Sequence, residues 1–457
     1  MTHYISTAND QQTTPIIPII KSTYETWLAA QNEFLRAVAS QQKLGEDVGN
    51  IIVDRKKSGR ISKVYMLVSD DLNPYDFCHA CKSFPDGQYH VESDTEEVIK
   101  AVILAWGFGS YRFDRYLNQK QAPTLVVKDQ GAYHTELATI KATSMVRDLI
   151  NTPADDMGPT ELSDYAEQFA KENHATFTEI VGDSLLSENF PSIHIVGRAS
   201  HKAPRLIELN WGDENNPKIS LVGKGVCFDT GGNNMKSAQF MRWMKKDMGG
   251  GAHVLGLAQL IIDHDLPVCL QVLIPAVENA VSGSAYRQGD VAQTRSGQTI
   301  EIGHTDAEGR VILADALTYA SEGEPELIID YATLTGAARV AMGPTVTPIF
   351  SNRKEISDEI FANGQISHDE TWPLPLQQSY KKYIKSSIAD LNNSASLPQG
   401  GCITAALFLE HFVGADIPWV HIDTYGWNFG DRTGGTEGGE ALGMVAVFNW
   451  LKGKYTA

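Results

Sequence analysis

The rhythm of apolar and polar positions changes twice along this chain. Through roughly the first third, short apolar runs ("NIIVD", 50–54; "VYMLV", 64–68; "PTLVV", 123–127) alternate with a long amphipathic stretch, "TEEVIKAVILAWGFGSYRFDRYL", at 95–117. Runs of four or five residues rich in Val and Ile suit strands, and the longer stretch suits a helix. Residues 1–135 are therefore expected to form a small α/β domain. A second helical pattern follows in "YHTELATIKATSMVRDLIN" and meets Asn151 and Pro153. Proline cannot continue a helix, so 136–155 reads as a connecting helix and turn.

Beyond residue 156 the pattern becomes strand, helix, strand. "KISLVGKG" (218–225), "VCLQVLIPAV" (268–277), "ELIIDYATLTG" (326–336) and "PWVHIDTYGW" (418–427) read as strands. "GAHVLGLAQLIIDHD" (251–265), "EGRVILADALTYASEG" (308–323) and "CITAALFLEHFVG" (402–414) read as helices. Apolar strands without strict alternation are buried on both faces. The fold class is thus α/β: a mixed, mostly parallel sheet sandwiched by helices over 156–457, plus the smaller N-terminal α/β domain. "GDVAQTRSGQTIEI" (289–302) suggests a hairpin turning at Ser296-Gly297, which would supply the antiparallel part of the sheet. In such sheets ligands gather outside the carboxyl ends of the strands. "GKGVCFDTGG", "TDAEGR" and "ATLTGA" fall there.

Composition narrows the class. The 457 residues hold 56 acids against 38 Lys and Arg, a formal charge of -18. Phosphate binding needs a basic face, so nucleic acid is not the expected partner. No apolar run is long enough to span a bilayer and the N-terminus lacks the pattern of a signal peptide, so a cytoplasmic address is expected, with no membrane partner. Five cysteines do not make a disulfide framework, and the lone C-x-x-C at Cys78 and Cys81 lacks the second pair of a structural zinc site.

Two polar clusters carry the chemistry. In "LVGKGVCFDTGGNNMKSAQFMRWMKKDMGGG" (221–251), Lys224, Asp229, Lys236 and Asp247 are interleaved with glycines. In "IGHTDAEGR" (302–310), Asp306, Glu308 and Arg310 stand at alternate positions before a helical run. The phosphate-loop spacing fails at Gly225, where Ser or Thr is required, and neither H-E-x-x-H nor G-x-S-x-G is present. If the four acids converge, their mutual repulsion calls for cations. Two divalent ions would balance them, and an oxygen-rich set without His or Cys leaves Mn²⁺, Mg²⁺, Co²⁺ and Zn²⁺ open. Asp315, in the helix that follows, reads as structural.

From about Lys141 onward the chain closely resembles the leucyl aminopeptidase (cytosol aminopeptidase) family of dinuclear metallopeptidases. "VGKGVCFDTGG", "MKKDMGG", "VENAVSGSAYRQGDV", "TDAEGR", "DYATLTGA", "RDLINTPADDM" and "PWVHID" carry the likeness. The resemblance implies that Lys224, Asp229, Asp247 and Glu308 bind the tighter metal, and that Asp229, Asp306 and Glu308 bind the more exchangeable one. The metals it implies are Mn²⁺ or Zn²⁺, with Mg²⁺ and Co²⁺ as alternatives. It implies Lys236 as the cation that polarises the scissile carbonyl. Arg310 would hold a bicarbonate serving as general base. Met244, Thr333, Gly336 and Ala441 would line the pocket for an apolar, leucine-like N-terminal residue. It further implies short peptides with a free N-terminus as substrates and a homohexamer, a dimer of trimers. His304 stands where the family usually has Asn. A phosphoesterase with similar acids would commonly add His ligands, and only His304 lies near these clusters. A non-catalytic relative would be expected to lose charged site residues, and all seven are present.

Overall fold

The structure, a computed structural model, describes residues 4–6, 13–117, 123–430, 432 and 435–456. It divides into two compact units, Met1–Ser144 with Asn428–Gly438, and Met145–Trp427 with Gly439–Ala457; the division falls inside the helix His134–Asn151. Among the described residues no helix is long and apolar enough to cross a membrane.

The first unit holds a six-stranded sheet in the order Ile5–Ser6, Thr124–Val126, Gln88–Val91, Thr14–Ile20, Ile61–Val68, Ile51–Arg55. Its pairings are parallel except the last. The run "VYMLV" shows why it is apolar throughout. Val64, Met66 and Val68 enter a core with Phe84, Tyr89 and Trp106, whereas Tyr65 and Leu67 enter another with Ile19, Leu35 and Ile52. Successive side chains point to opposite faces, so both faces are covered. The long amphipathic stretch is helical only over Glu96–Ser110, shorter than the expected 95–117: Tyr111 turns to extended backbone and buries its ring in the first of these cores.

The second unit is built on a nine-stranded mixed sheet. Its centre is parallel, in the order Trp419–Asp423, Leu327–Ala332, Lys218–Gly223, Cys269–Asn279. Thr347–Ser351 joins one side antiparallel, and Arg205–Trp211 followed by Thr176–Val181 joins the other. Gly225–Asp229 pairs with the far end of Cys269–Asn279, with a register irregularity that leaves Cys227 without a partner position. Helices cover both faces. Adjacent residues of one strand divide between them: Tyr331 stacks on His253 of the helix Gly249–Asp263, while Ala332 shares a core with Val311 and Leu313 of the helix Glu308–Glu322.

The four strands and three helices read from the apolar pattern are present, with ends shifted by a few residues. The hairpin also forms, Val291–Gln293 against Thr299–Glu301. Contrary to the expectation from its sequence it does not join the main sheet: Thr299–Glu301 pairs instead with Leu391–Asn392 in a separate three-stranded sheet. The antiparallel character of the main sheet comes from its outer strands instead. Asp315 is buried and structural: its carboxylate accepts from the backbone N–H of Ser192 (2.8 Å) and Arg295 (2.7 Å).

His253 links packing to pH. It is fully buried, its Nδ1 lies 2.6 Å from the Gly249 carbonyl, and its Nε2 accepts from the Leu442 N–H at 3.0 Å. These partners pin the neutral Nδ1–H tautomer, and burial pushes the imidazole pKa down to about 4, from 6.5. The folded value lies below the unfolded one, so this stability is present above pH 6.5 and is lost as pH falls towards 4. His253→Gln should flatten the acid limb of the stability curve by about 3 kcal/mol between those limits, measured by denaturant unfolding at a series of pH values.

Candidate metal centre

Three strands of the parallel centre, and the short Gly225–Asp229 beside them, end at one polar cluster. Lys224 follows the strand Lys218–Gly223, Asp229 ends Gly225–Asp229, Asn279 ends Cys269–Asn279, and Thr333 follows Leu327–Ala332. Asp247 sits in the short turn Met244–Met248 and Glu308 begins the helix Glu308–Glu322. Lys236 and Asp306 lie on the loops before these elements.

The side chains converge. Lys224 Nζ is 2.7 Å from Asp247 Oδ2 and 2.9 Å from Glu308 Oε1, and donates to the Thr333 carbonyl at 3.1 Å. Lys236 Nζ is 2.7 Å from Asp229 Oδ2 and also pairs with Asp306 Oδ1. Carboxylate oxygens of Asp229, Asp306 and Glu308 lie within 4.8 Å of one another. Lys224, Asp229, Asp247 and Glu308 are all at most 3% exposed. Gly309 makes the Lys224 position possible, because a Cβ there would lie 2.6 Å from Lys224 Cε.

Charge crowding is written into the proton affinities. Burial, and then neighbouring acids, raise the carboxyls of Asp229 and Asp306; burial likewise raises that of Asp247, against the pull of Lys224. Burial also opposes the charge on Glu308, yet Lys224 and Lys236 together outweigh it and hold that carboxyl low. Both lysines are held protonated, with their acids overcoming the cost of burial. Four acids against two ammoniums leave an excess of negative charge. Asp247 Oδ2 and Asp306 Oδ1 are buried and face ammonium groups without hydrogen-bonding geometry. This donor set, rich in oxygen and short of positive charge, fits divalent cations.

The remaining site residues are placed less uniformly. Arg310 projects from the same helix as Glu308; its Nη1 donates to the Asn393 carbonyl at 2.8 Å, while its buried Nε has no hydrogen-bond partner among the described residues. Met244 lies one short turn before Asp247, half-buried. Thr333 is turned to the carboxylates: its hydroxyl donates to Asp247 Oδ1 at 2.7 Å and its methyl lies where a Cβ on Gly249 would be 2.9 Å away. Gly336 is exposed at the start of the helix Gly336–Met342, and Ala441 is buried. His304 Nδ1 accepts from the Asp306 N–H at 3.1 Å.

Sequence reasoning passed over neutral residues that fix this geometry. Asn393, fully buried, accepts from the N–H groups of Gly303 (2.8 Å) and His304 (3.1 Å) and donates to the His304 carbonyl (2.9 Å). Thr305 Oγ1 donates to the Gly231 carbonyl at 2.6 Å and accepts from the Asn234 N–H at 2.8 Å, clasping the two acidic loops together. Thr305 stands inside the charged motif "IGHTDAEGR", which is a signal in the chain; Asn393 has none.

Comparison with known proteins places the chain in a family. Residues 144–448 match the family model described as "Cytosol aminopeptidase family, catalytic domain", and residues 14–127 match "M17 aminopeptidase, N-terminal domain". The chain belongs to the cytosol aminopeptidase family. It is 40% identical over 374 residues to a probable cytosol aminopeptidase of Syntrophotalea carbinolica, covering 78% of this chain and 74% of that one. The crystal structure of the cytosol aminopeptidase from Coxiella burnetii superposes with a TM-score of 0.94 at 42% identity, covering 99% of each chain. The bottromycin maturation enzyme BotP in complex with Mn superposes with a TM-score of 0.87 at 28% identity, covering 97% of this chain and 99% of that one. Membership makes this protein a metal-dependent aminopeptidase, a hydrolase acting on peptides.

Thr333→Val removes the hydroxyl from Asp247 while keeping the side chain's shape. Residues that orient ligands typically contribute 10–100-fold to metal affinity or activity. The variant should lose about tenfold in kcat at limiting metal and recover part of it when metal is raised, with its ranking of N-terminal residues unchanged in a panel of aminoacyl anilides.

Proposed function

We propose that this enzyme removes N-terminal amino acids, apolar ones of the leucine class, from short peptides with a free N-terminus, using two divalent ions in the cluster. The observation that carries the reading is the meeting of Asp229, Asp306 and Glu308 oxygens within 4.8 Å, with Lys224 adjoining Glu308 and Asp247 adjoining Lys224.

Lys224, Asp229, Asp247 and Glu308 would hold one ion, and Asp229, Asp306 and Glu308 the other. Lys224 would join as a neutral amine, its proton given up when a dication takes over the neutralising of Asp247 and Glu308. Mn²⁺ or Zn²⁺ suits the set, with Mg²⁺ and Co²⁺ as alternatives; the Mn complex of BotP supports Mn²⁺. Bound divalent ions supply Lewis acidity, which acidifies water and polarises a carbonyl. Lys236, only 14% exposed at its side chain, places an ammonium where negative charge develops on the scissile carbonyl oxygen; a fixed cation in a water-poor site is more effective than one in solvent. Arg310, with its Nε unpartnered among the described residues, is suited to hold a bicarbonate near the cluster, where a base is needed to accept a proton from water. Met244 offers an apolar wall, and the small Gly336 and Ala441 leave room for a branched side chain. Family resemblance supports a homohexamer, and the relatives' name, cytosol aminopeptidase, supports a cytoplasmic address. Light scattering that returned a fully active monomer would remove the hexamer.

Leucine p-nitroanilide should be cleaved and its N-acetylated form should not. Chelator should abolish turnover and Mn²⁺ restore it. Glu308→Gln should be inactive at any practical metal concentration, and Lys236→Ala should lose about 10²–10³ in kcat with metal content unchanged. Turnover that survived complete metal removal, or a preference for a phosphate ester, would refute the reading.

A further inference from the structure

The stretch "VENAVSGSAYRQGDV" (277–291) supplies no acid or amine to the cluster, yet it ends a central strand directly behind it. Its Asn279 is fully buried. The amide Nδ2 donates to Asp229 Oδ1 at 2.8 Å and to the Thr305 carbonyl at 3.0 Å, and lies 3.4 Å from Glu308 Oε2. Three acceptors around that atom identify it as the nitrogen. The Asn279 main-chain carbonyl accepts from Thr230 N–H (3.0 Å) and Thr230 Oγ1 (2.7 Å). From the same stretch, the Tyr286 hydroxyl donates to the Thr305 carbonyl at 2.6 Å.

One neutral side chain thus touches both acidic loops. A cation at this place would compete with metal for the carboxylates, and another acid would add to the repulsion. An uncharged NH₂ does neither. Together with the Gly231 N–H, also 2.8 Å from Asp229 Oδ1, it occupies one oxygen of Asp229 and leaves Oδ2 turned to the side where Lys236 now sits. At the opposite end of the amide, Oδ1 is buried and meets no hydrogen-bond partner among the described residues. A buried unpaired acceptor is costly and persists in a native protein where something else requires it. Gly232 gives it room, since a Cβ there would come within 2.9 Å of Asn279 Oδ1, and its φ of +61° suits glycine.

We propose that Asn279 is a positioning residue for the metal centre, its amide nitrogen setting which oxygen of Asp229 faces the ions and holding the Thr305–Glu308 loop in register with it. The inference rests on reading Asp229, Asp306 and Glu308 as ligands.

Wild type, Asn279→Ala, Asn279→Leu and Asp306→Asn, each stripped of metal, would be titrated with Mn²⁺ and followed by electron paramagnetic resonance. Steady-state kinetics on leucine p-nitroanilide and thermal melts of the stripped proteins complete the set. Both Asn279 variants should bind Mn²⁺ about 10–100-fold more weakly and show a diminished signal from coupled Mn²⁺ pairs. At saturating Mn²⁺ they should lose kcat with KM little changed, while the stripped proteins melt close to wild type. Leucine fills the space of asparagine without donating, and alanine covers the case in which leucine is too bulky to fold. Wild-type Mn²⁺ binding in the leucine variant alone would mean that Asn279 only fills space, and would overturn the proposal. Wild-type binding in both Asn279 variants with impaired Asp306→Asn would also overturn it while leaving the ligand reading intact. Should Asp306→Asn also bind as wild type, the ligand reading would fall and the inference with it.

Discussion

Four carboxylates confined to one buried hollow set the terms for everything around them. Each would be stable alone in water, and together they are held only by opposing charge and by donors aimed from the backbone and from neutral side chains. Lys224 and Lys236 supply part of that charge, and divalent ions fit the remainder. The glycines, amides and hydroxyls of the surrounding loops are best understood as answers to this single electrostatic problem.

The scaffold solves it by geometry. Parallel strands bring their carboxyl ends to a common edge, so residues far apart in sequence need only follow or end a strand to meet. Lys224, Asp229, Asn279 and Thr333 all do so. The helices Gly249–Asp263 and Glu308–Glu322 then start at that edge, which brings Asp247 and Glu308 to it without long flexible connections. Strand ends and helix starts thus carry most of the clustered acids, and a centre built this way loses little freedom if an ion binds.

Much of this was legible in the chain. Buried parallel strands announce themselves as continuous apolar runs, and charged residues interleaved with glycine mark a place where backbone and ligand approach closely. Lys224, Asp229, Asp247, Asp306 and Glu308 could be named for that reason. Asn279, Thr305 and Asn393 could not be recognised in the same way, because a neutral amide or hydroxyl is an unremarkable residue until its partners are known. Thr333 illustrates the same limit: a small residue near a pocket motif is compatible with a wall, and only the fold reveals its hydroxyl on Asp247. The early end of the helix at Ser110 depended on where Tyr111 finds its core, and the separate placement of the hairpin on Leu391–Asn392, nearly a hundred residues away. Both are tertiary facts without a local signature.

The unpaired residue in the strand Gly225–Asp229 has a consequence for how this protein can change length. Val226 aligns with Val277 but Phe228 aligns with Glu278, so Cys227 is an extra residue that shifts the remainder of the strand by one step. Because side chains alternate, that single step is what puts Asp229 on the same side as Asn279. A regular ladder with Cys227 kept in register would set Phe228 opposite Asn279 and turn the aspartate to the reverse face of the sheet, whereas excising Cys227 would leave Asp229 opposite Asn279, so this short segment tolerates loss of its extra residue better than loss of its irregular register.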